Sequence, residues 1–336
     1  MIGGEFEIDL SVQRDGFVQQ TDTYYYASGR AALYQILRSL NCKRKKVWLP
    51  DWLCHTMIDA VERAGYEYVF YEIDSQFKAT IAALDRVGFQ NGDAVLEINY
   101  FGLLRLNETS KAIKEVYPNA LVIEDDVQAY WEFAEKENPY ADYRFTSLRK
   151  AFMIPDGGLV YTKHPMPTVT GKNTFAPLKI KAGVMKQNRG MNGIKDEDYL
   201  ALFNQGAALI SENYDSAMSD DSKRLFAGMD FQKAKAQRQA NAKCIINGLE
   251  GLGMKPMIEV PDDCGPLFIP IYLSNRNEVR KKMFQHEIFC PIHWPLEGMP
   301  VKKGGEMAEH ELSLIVDQRY GQQDMDKIIN CICKKS

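Results

Sequence analysis

Between residues 24 and 162 short β-rich runs alternate with stretches of helical period, and this alternation constrains the fold more than any other feature of the chain. The strand-like runs lie at 24–27, 46–50, 67–71, 94–99, 121–125 and 158–162, and the helical patterns at 29–40, 53–64 and 106–116. Strands regularly separated by helices cannot be joined as hairpins. They predict an α/β fold with a mainly parallel central sheet between helices, which binds ligands at the strands' carboxyl ends.

Beyond this region the pattern changes. Residues 164–195 hold Pro, Gly, Thr, Asn and Lys without clear period and read as a long connection. Helical stretches follow at 196–211 and 231–252. Next come strand-like runs at 267–272, 288–292 and 312–316 and helices at 275–286 and 322–333, which form an α+β pattern. The chain is therefore expected to divide into a large α/β domain, 1–225, and a smaller C-terminal α+β domain, 226–336, with residues 1–20 packing on the smaller one.

Composition narrows the function classes. A formal net charge of -4 argues against a nucleic-acid footprint. The acidic start, Glu5, Glu7 and Asp9, is unlike a signal peptide, and no apolar run approaches membrane-spanning length, so a cytoplasmic protein with no membrane insertion is expected. Seven cysteines without a Cys-x-x-Cys pair and five scattered histidines give no metal pattern.

Several segments carry chemistry. Ser28-Gly29-Arg30 follows a strand and opens a helix, where free N–H groups and the positive dipole end can hold a phosphate. Glu124-Asp125-Asp126, with Gln128 beyond, closes the run 121–125 at the ligand-binding edge. Lys150 precedes the turn Pro155-Asp156-Gly157-Gly158, which feeds the next strand. A lysine amine condenses with a pyridoxal aldehyde to a Schiff base, and a carboxylate can keep the pyridine nitrogen protonated, so Lys150 and Asp125 together suggest pyridoxal phosphate. Taken singly, the same segments also suit a capped helix, a solvated acidic turn and a surface lysine. Trp52 and Cys54 flank another strand end, and His293-Trp294-Pro295 lies in the C-terminal part.

In this order the segments resemble the DegT-type (DegT/DnrJ/EryC-like) sugar aminotransferases, a branch of the type I pyridoxal phosphate-dependent aminotransferase fold. The family's phosphate turn is matched at Ser28 to Leu33 and its Glu-Asp-x-x-Gln-Ala motif at Glu124 to Ala129. Its lysine followed by Gly-Gly matches Lys150, Gly157 and Gly158, and its His-Tyr-Pro resembles His293-Trp294-Pro295. The resemblance implies a cofactor bound through Lys150, an Asp125 carboxylate on the pyridine nitrogen and Gln128 near the ring hydroxyl. It further implies phosphate contacts from Ser28, Gly29 and Arg30, a cofactor contact from Ser147, and His293 and Trp294 beside the substrate. Glutamate as amino donor, a nucleotide-linked keto-sugar as acceptor, and a homodimer are also implied.

The chain departs from the family at several points. Arg30 replaces the usual Thr, and Cys54 stands where an aromatic usually stacks on the ring, leaving Trp52 as substitute. Ser147 lies three residues before the lysine rather than five. The family's Gly-x-Asn-x-Arg-Met segment has no match in 165–195, where Lys179, Lys181, Lys186, Asn188 and Arg189 could instead serve as an arm toward a partner subunit. A type I enzyme acting on another amine or keto acid, and a non-catalytic descendant of the fold, remain rival readings. The sugar dehydratase branch, which has histidine in place of the lysine, is disfavoured by Lys150.

Overall fold

The computed structural model describes residues 1–191, 193–296 and 303–333. A seven-stranded sheet runs in the spatial order Thr23–Tyr26, Gly158–Tyr161, Tyr143–Ser147, Leu121–Asp125, Ala94–Ile98, Lys46–Pro50, Glu67–Tyr71. The last five are parallel, and Gly158–Tyr161 runs antiparallel to both of its neighbours. All five parallel strands therefore end on one edge, where the candidate motifs of 125 and 147–150 come together.

Six of these strands fall on runs expected from the sequence; Tyr143–Ser147 does not. Arg144 interrupts its apolar pattern, yet all five of its residues are buried. The guanidinium is tolerated there because it is fully engaged on one end: Nη2 donates to Asp126 at 2.7 Å, to Glu124 at 3.3 Å and to the Glu132 carbonyl at 2.9 Å. A buried charge is stable in this way only when paired and hydrogen-bonded.

The helix Gly29–Ser39 begins where Ser28 Oγ accepts the N–H of Ala31 at 3.0 Å. It buries Ala31, Ala32, Leu33, Ile36 and Leu37 against the sheet. Its start is pressed onto the neighbouring strand so closely that a Cβ at Gly158 would lie 2.0 Å from the Ser28 carbonyl oxygen. Gly158→Ala is accordingly expected to destabilise the fold by about 3 kcal/mol, since backbone cannot move aside as a side-chain tip can. Denaturant unfolding measures this; a variant as stable as the wild type would show that the cap and strand are not in contact.

The stretch 164–195, expected as an irregular connection, contains the helix Ala176–Gln187. Its period was masked because two lysines lie on its buried face, Lys179 with Glu5 at 2.8 Å and Lys186 with Glu7 at 2.8 Å. Five further helices, Ile81–Arg86, Tyr130–Glu135, Leu148–Ala151, Asp220–Ala227 and Lys303–His310, also lie outside the expected ones.

The C-terminal part combines strands and helices around a second apolar cluster. Phe268–Tyr272 pairs antiparallel with Glu311–Ile315, and Phe231–Glu250 and Gln322–Cys333 pack there through Ile245, Leu249, Met325 and Ile328. The expected strand at 288–292 is reduced to Ile288–Phe289, which pairs with Ile2–Gly3 at the chain's start. Among the described residues no helix is long and apolar enough to cross a membrane.

Candidate active site

A cavity of about 710 Å³ opens at the carboxyl ends of the parallel strands. It collects Ser28, Gly29 and Arg30 from the helix start, Asn99, Asp125 and Ser147 from strand ends, Gln128 from the loop beyond Asp125, and Arg149 and Lys150 from the short helix Leu148–Ala151 that follows Ser147. Cys54 and Trp294 complete its wall.

Asp125 is buried, and its carboxylate accepts the Val127 N–H at 2.8 Å. Burial lifts its pKa from 3.8 to about 6, outweighing the Val127 hydrogen bond and the positive charge of Lys150, which both favour ionisation. Lys150 shows the complementary effect. Burial holds its amine below the usual lysine range against the pull of Cys54 and Asp125, and the neighbouring charges of Arg149 and Arg30 push it the same way. A lysine so placed carries more free amine at neutral pH than an exposed one, as a nucleophile requires.

The loop carrying Asp125 is braced from below. Asp126 receives Arg144 and also the Asn99 side-chain amide at 3.1 Å, while Asn99 Oδ1 accepts the Leu104 N–H at 3.0 Å. Gln128 Oε1 accepts the Phe101 N–H at 3.1 Å, which leaves its amide nitrogen as a donor. At the other end of the cavity Gly29 is tightly flanked: a Cβ there would stand 3.1 Å from Val127 Cγ2 and 3.2 Å from Ser147 Cβ. The bare backbone thus presents a helix N-terminus beside Arg30, whose guanidinium also bonds Ser211 Oγ. An anion cradle, a buried carboxylate and a low-pKa lysine on one wall suit a flat cofactor that carries phosphate, a ring nitrogen and an aldehyde.

Two of the expected site residues lie elsewhere. Trp52 is fully buried, stacked on Tyr100 with ring centroids 5.0 Å apart, and donates its indole N–H to the His293 carbonyl at 3.1 Å. It is core, because its apolar ring is more stably placed among Phe77, Tyr100 and Phe101 than at a solvated rim. Trp294, packed edge-on against it, reaches the cavity instead. His293 faces an adjoining cavity that shares Gln128, Arg149 and Lys150 with the first. Its Nδ1 lies 2.7 Å from Ser313 Oγ, and burial, aided by Lys150, pushes its pKa to about 3, so the ring is neutral at physiological pH.

The stretch proposed as an arm is largely engaged within its own chain. Lys179 and Lys186 are paired as described, Arg189 holds Asp196 at 2.7 and 2.8 Å, and Asn188 donates to the Val184 carbonyl. Of those five residues Lys181 and Arg189 are exposed; Asn192 of the stretch lies outside the described residues. Conversely, the sequence reading missed Asn99, Thr56, Met57, Arg149 and Ile210 as wall residues. Asn99 was legible as a polar residue at a strand's carboxyl end, whereas nothing local marks Ile210.

No protein-family profile and no curated protein matches the chain. Solved structures do match in three dimensions. The putative sugar aminotransferase Spr1654 from Streptococcus pneumoniae, in its PMP form, aligns over 98% of this chain and 90% of its own, with TM-score 0.68 and 14% identity. The DegT DnrJ EryC1 StrS aminotransferase from Brucella abortus aligns over 92% and 84%, with TM-score 0.61 and 18% identity. NtdA from Bacillus subtilis, with bound cofactor PMP, aligns over 93% and 73%, with TM-score 0.66 and 14% identity. The chain has the fold of these three structures.

Proposed function

We propose that the protein is a pyridoxal phosphate-dependent aminotransferase that passes an amino group from glutamate to a nucleotide-linked keto-sugar, in surface polysaccharide or amino-sugar biosynthesis. The observation that carries this reading is the placement of Lys150 and Asp125 on one cavity wall, Asp125 at the end of one parallel strand and Lys150 just beyond the end of its neighbour, with a helix N-terminus at the cavity's other end. Similarity of fold to Spr1654, described as a putative sugar aminotransferase, and to the sugar aminotransferase CalS13 from Micromonospora echinospora supports the substrate class. A nucleotide-sugar acceptor would place the reaction in the cytoplasm, and a symmetric homodimer is the expected assembly, testable by sedimentation.

When bound, pyridoxal phosphate supplies an aldehyde for a primary amine and a ring that draws electrons from the attached carbon. The chain's residues would do the rest. Ser28, Gly29, Arg30 and Ser147 line the end that would hold phosphate, and Gln128 offers its amide nitrogen as a donor. Asp125 would stabilise a proton on the ring nitrogen through a charge-assisted hydrogen bond. Lys150 Nζ, once displaced by the donor's amine, would take the proton from the donor's α-carbon and return it on the other side of the exchange. Trp294 and Met57 close the wall with apolar surface and limit water.

Mixing the cofactor-loaded protein with glutamate should bleach its yellow absorbance, and adding a nucleotide-linked keto-sugar should restore it. Restoration by simple keto acids and not by keto-sugars would favour the type I enzyme of different substrate; no colour at all would favour the non-catalytic descendant.

A further inference from the structure

The adjoining cavity, about 1070 Å³, is walled on one side by the N-terminal residues Gly3, Gly4, Glu5 and Phe6. This segment is fastened at both ends. Ile2–Gly3 pairs with Ile288–Phe289, and Ile8 is buried against Gly183, where an added Cβ would lie 2.5 Å from it. Between the anchors Glu5 directs its carboxylate onto two cations, Lys179 Nζ at 2.8 Å and Arg149 Nη1 at 3.4 and 3.5 Å.

The two cations are unequally satisfied. Lys179 is 1% exposed, with Glu5 as its ion partner among the described residues, and an ammonium buried without a counter-ion would be costly. Arg149 reaches the same carboxylate at long range and from one nitrogen, although a guanidinium has five donors to offer. Arg319, on the same cavity, is by contrast tied to Asp317 through both Nε and Nη2 at 2.9 and 2.8 Å. Arg149 also lines the first cavity and is the chain neighbour of Lys150. Glu5 stands where the adjoining cavity meets a smaller one, about 220 Å³, that Lys179 lines, and its side chain is still 35% exposed.

We propose that Arg149 and Lys179 form the subsite for the distal carboxylate of a dicarboxylic amino donor, and that Glu5 fills this subsite until the donor displaces it. The proposal rests on the aminotransferase reading and adds how the donor is chosen. The space is already shaped around a carboxylate on a two-methylene stem, which is the end that glutamate itself presents. A donor whose amine meets Lys150 carries that second carboxylate toward the cavity that Arg149 shares. Exchange of Glu5 for the donor keeps Lys179 neutralised throughout, so the buried charge is never left alone.

Glutarate, a dicarboxylate that cannot transaminate, is the probe. Calorimetric titration of the full chain should give a dissociation constant about tenfold lower for Glu5→Gln than for wild type, and about tenfold higher for Arg149→Gln. Glu5→Gln should also melt at lower temperature and recover with added glutarate, because a ligand that binds only the folded state stabilises it. Unchanged or weaker glutarate binding by Glu5→Gln would overturn the proposal. If that variant does not fold, hydrogen exchange on the wild type decides: amides of residues 2–8 should exchange faster in saturating glutarate, and unchanged or slower exchange would overturn it. None of these readouts needs the cofactor. Failure of Lys150 to bond the cofactor would therefore sink the aminotransferase reading by a separate route.

Discussion

Lys150→Ala is expected to lower turnover by at least about a thousandfold and to abolish the yellow absorbance of the loaded protein, because in the proposed function one side chain would serve as both nucleophile and proton carrier. Its position makes the expectation specific. Burial lowers the pKa of the amine, and Asp125 and Cys54 oppose that shift only in part. Among the described residues no other lysine lines either of the two cavities that meet at this point. Cofactor binding should persist at reduced affinity, since the phosphate end of the cavity is untouched. Single-turnover absorbance and steady-state rates measure the two effects, and a variant with wild-type rates would remove Lys150 from the chemistry.

Asp125→Asn is expected to slow turnover by about a hundredfold while changing cofactor affinity much less, because the amide keeps the shape but loses the charge-assisted bond. It also has a signature in the empty protein. Asp125 has a folded pKa near 6, above its ordinary 3.8, so its contribution to stability is fully present below about pH 4 and is lost as pH rises through 6. The shift corresponds to about 3 kcal/mol. Cofactor-free Asp125→Asn should therefore gain stability relative to wild type between pH 4 and 7. Parallel pH-stability curves for the two proteins would show that Asp125 is not the buried, uncompensated carboxylate.

Much of this arrangement was legible before the structure. All but one of the strands that carry the site follow β-rich periodicity, and Asp125, Gln128 and Lys150 sit at spacings readable in one dimension. What escaped was set by tertiary pairing. Arg144 hid the strand leading to Lys150 because its charge is compensated by Asp126 and Glu124 from the neighbouring strand. Lys179 and Lys186 hid the helix Ala176–Gln187 because their partners lie more than 170 residues away, at Glu5 and Glu7. Trp52 was misplaced for a related reason: proximity in sequence to a strand end does not say which face a ring takes, and Trp52 turns to Tyr100 while Trp294 comes from the far end of the chain to reach the cavity. Local pattern reports an element where polarity and burial agree, and fails where a distant counter-charge lets them disagree.

The central claim is that Lys150 is the residue that bonds the cofactor. Borohydride reduction of the loaded protein would fix that carbon–nitrogen bond, and peptide mass mapping would locate it. The account predicts a single pyridoxyl-bearing peptide containing Lys150, with none formed by Lys150→Ala. An adduct on another lysine, or no adduct on a protein that has taken up the cofactor, would contradict it.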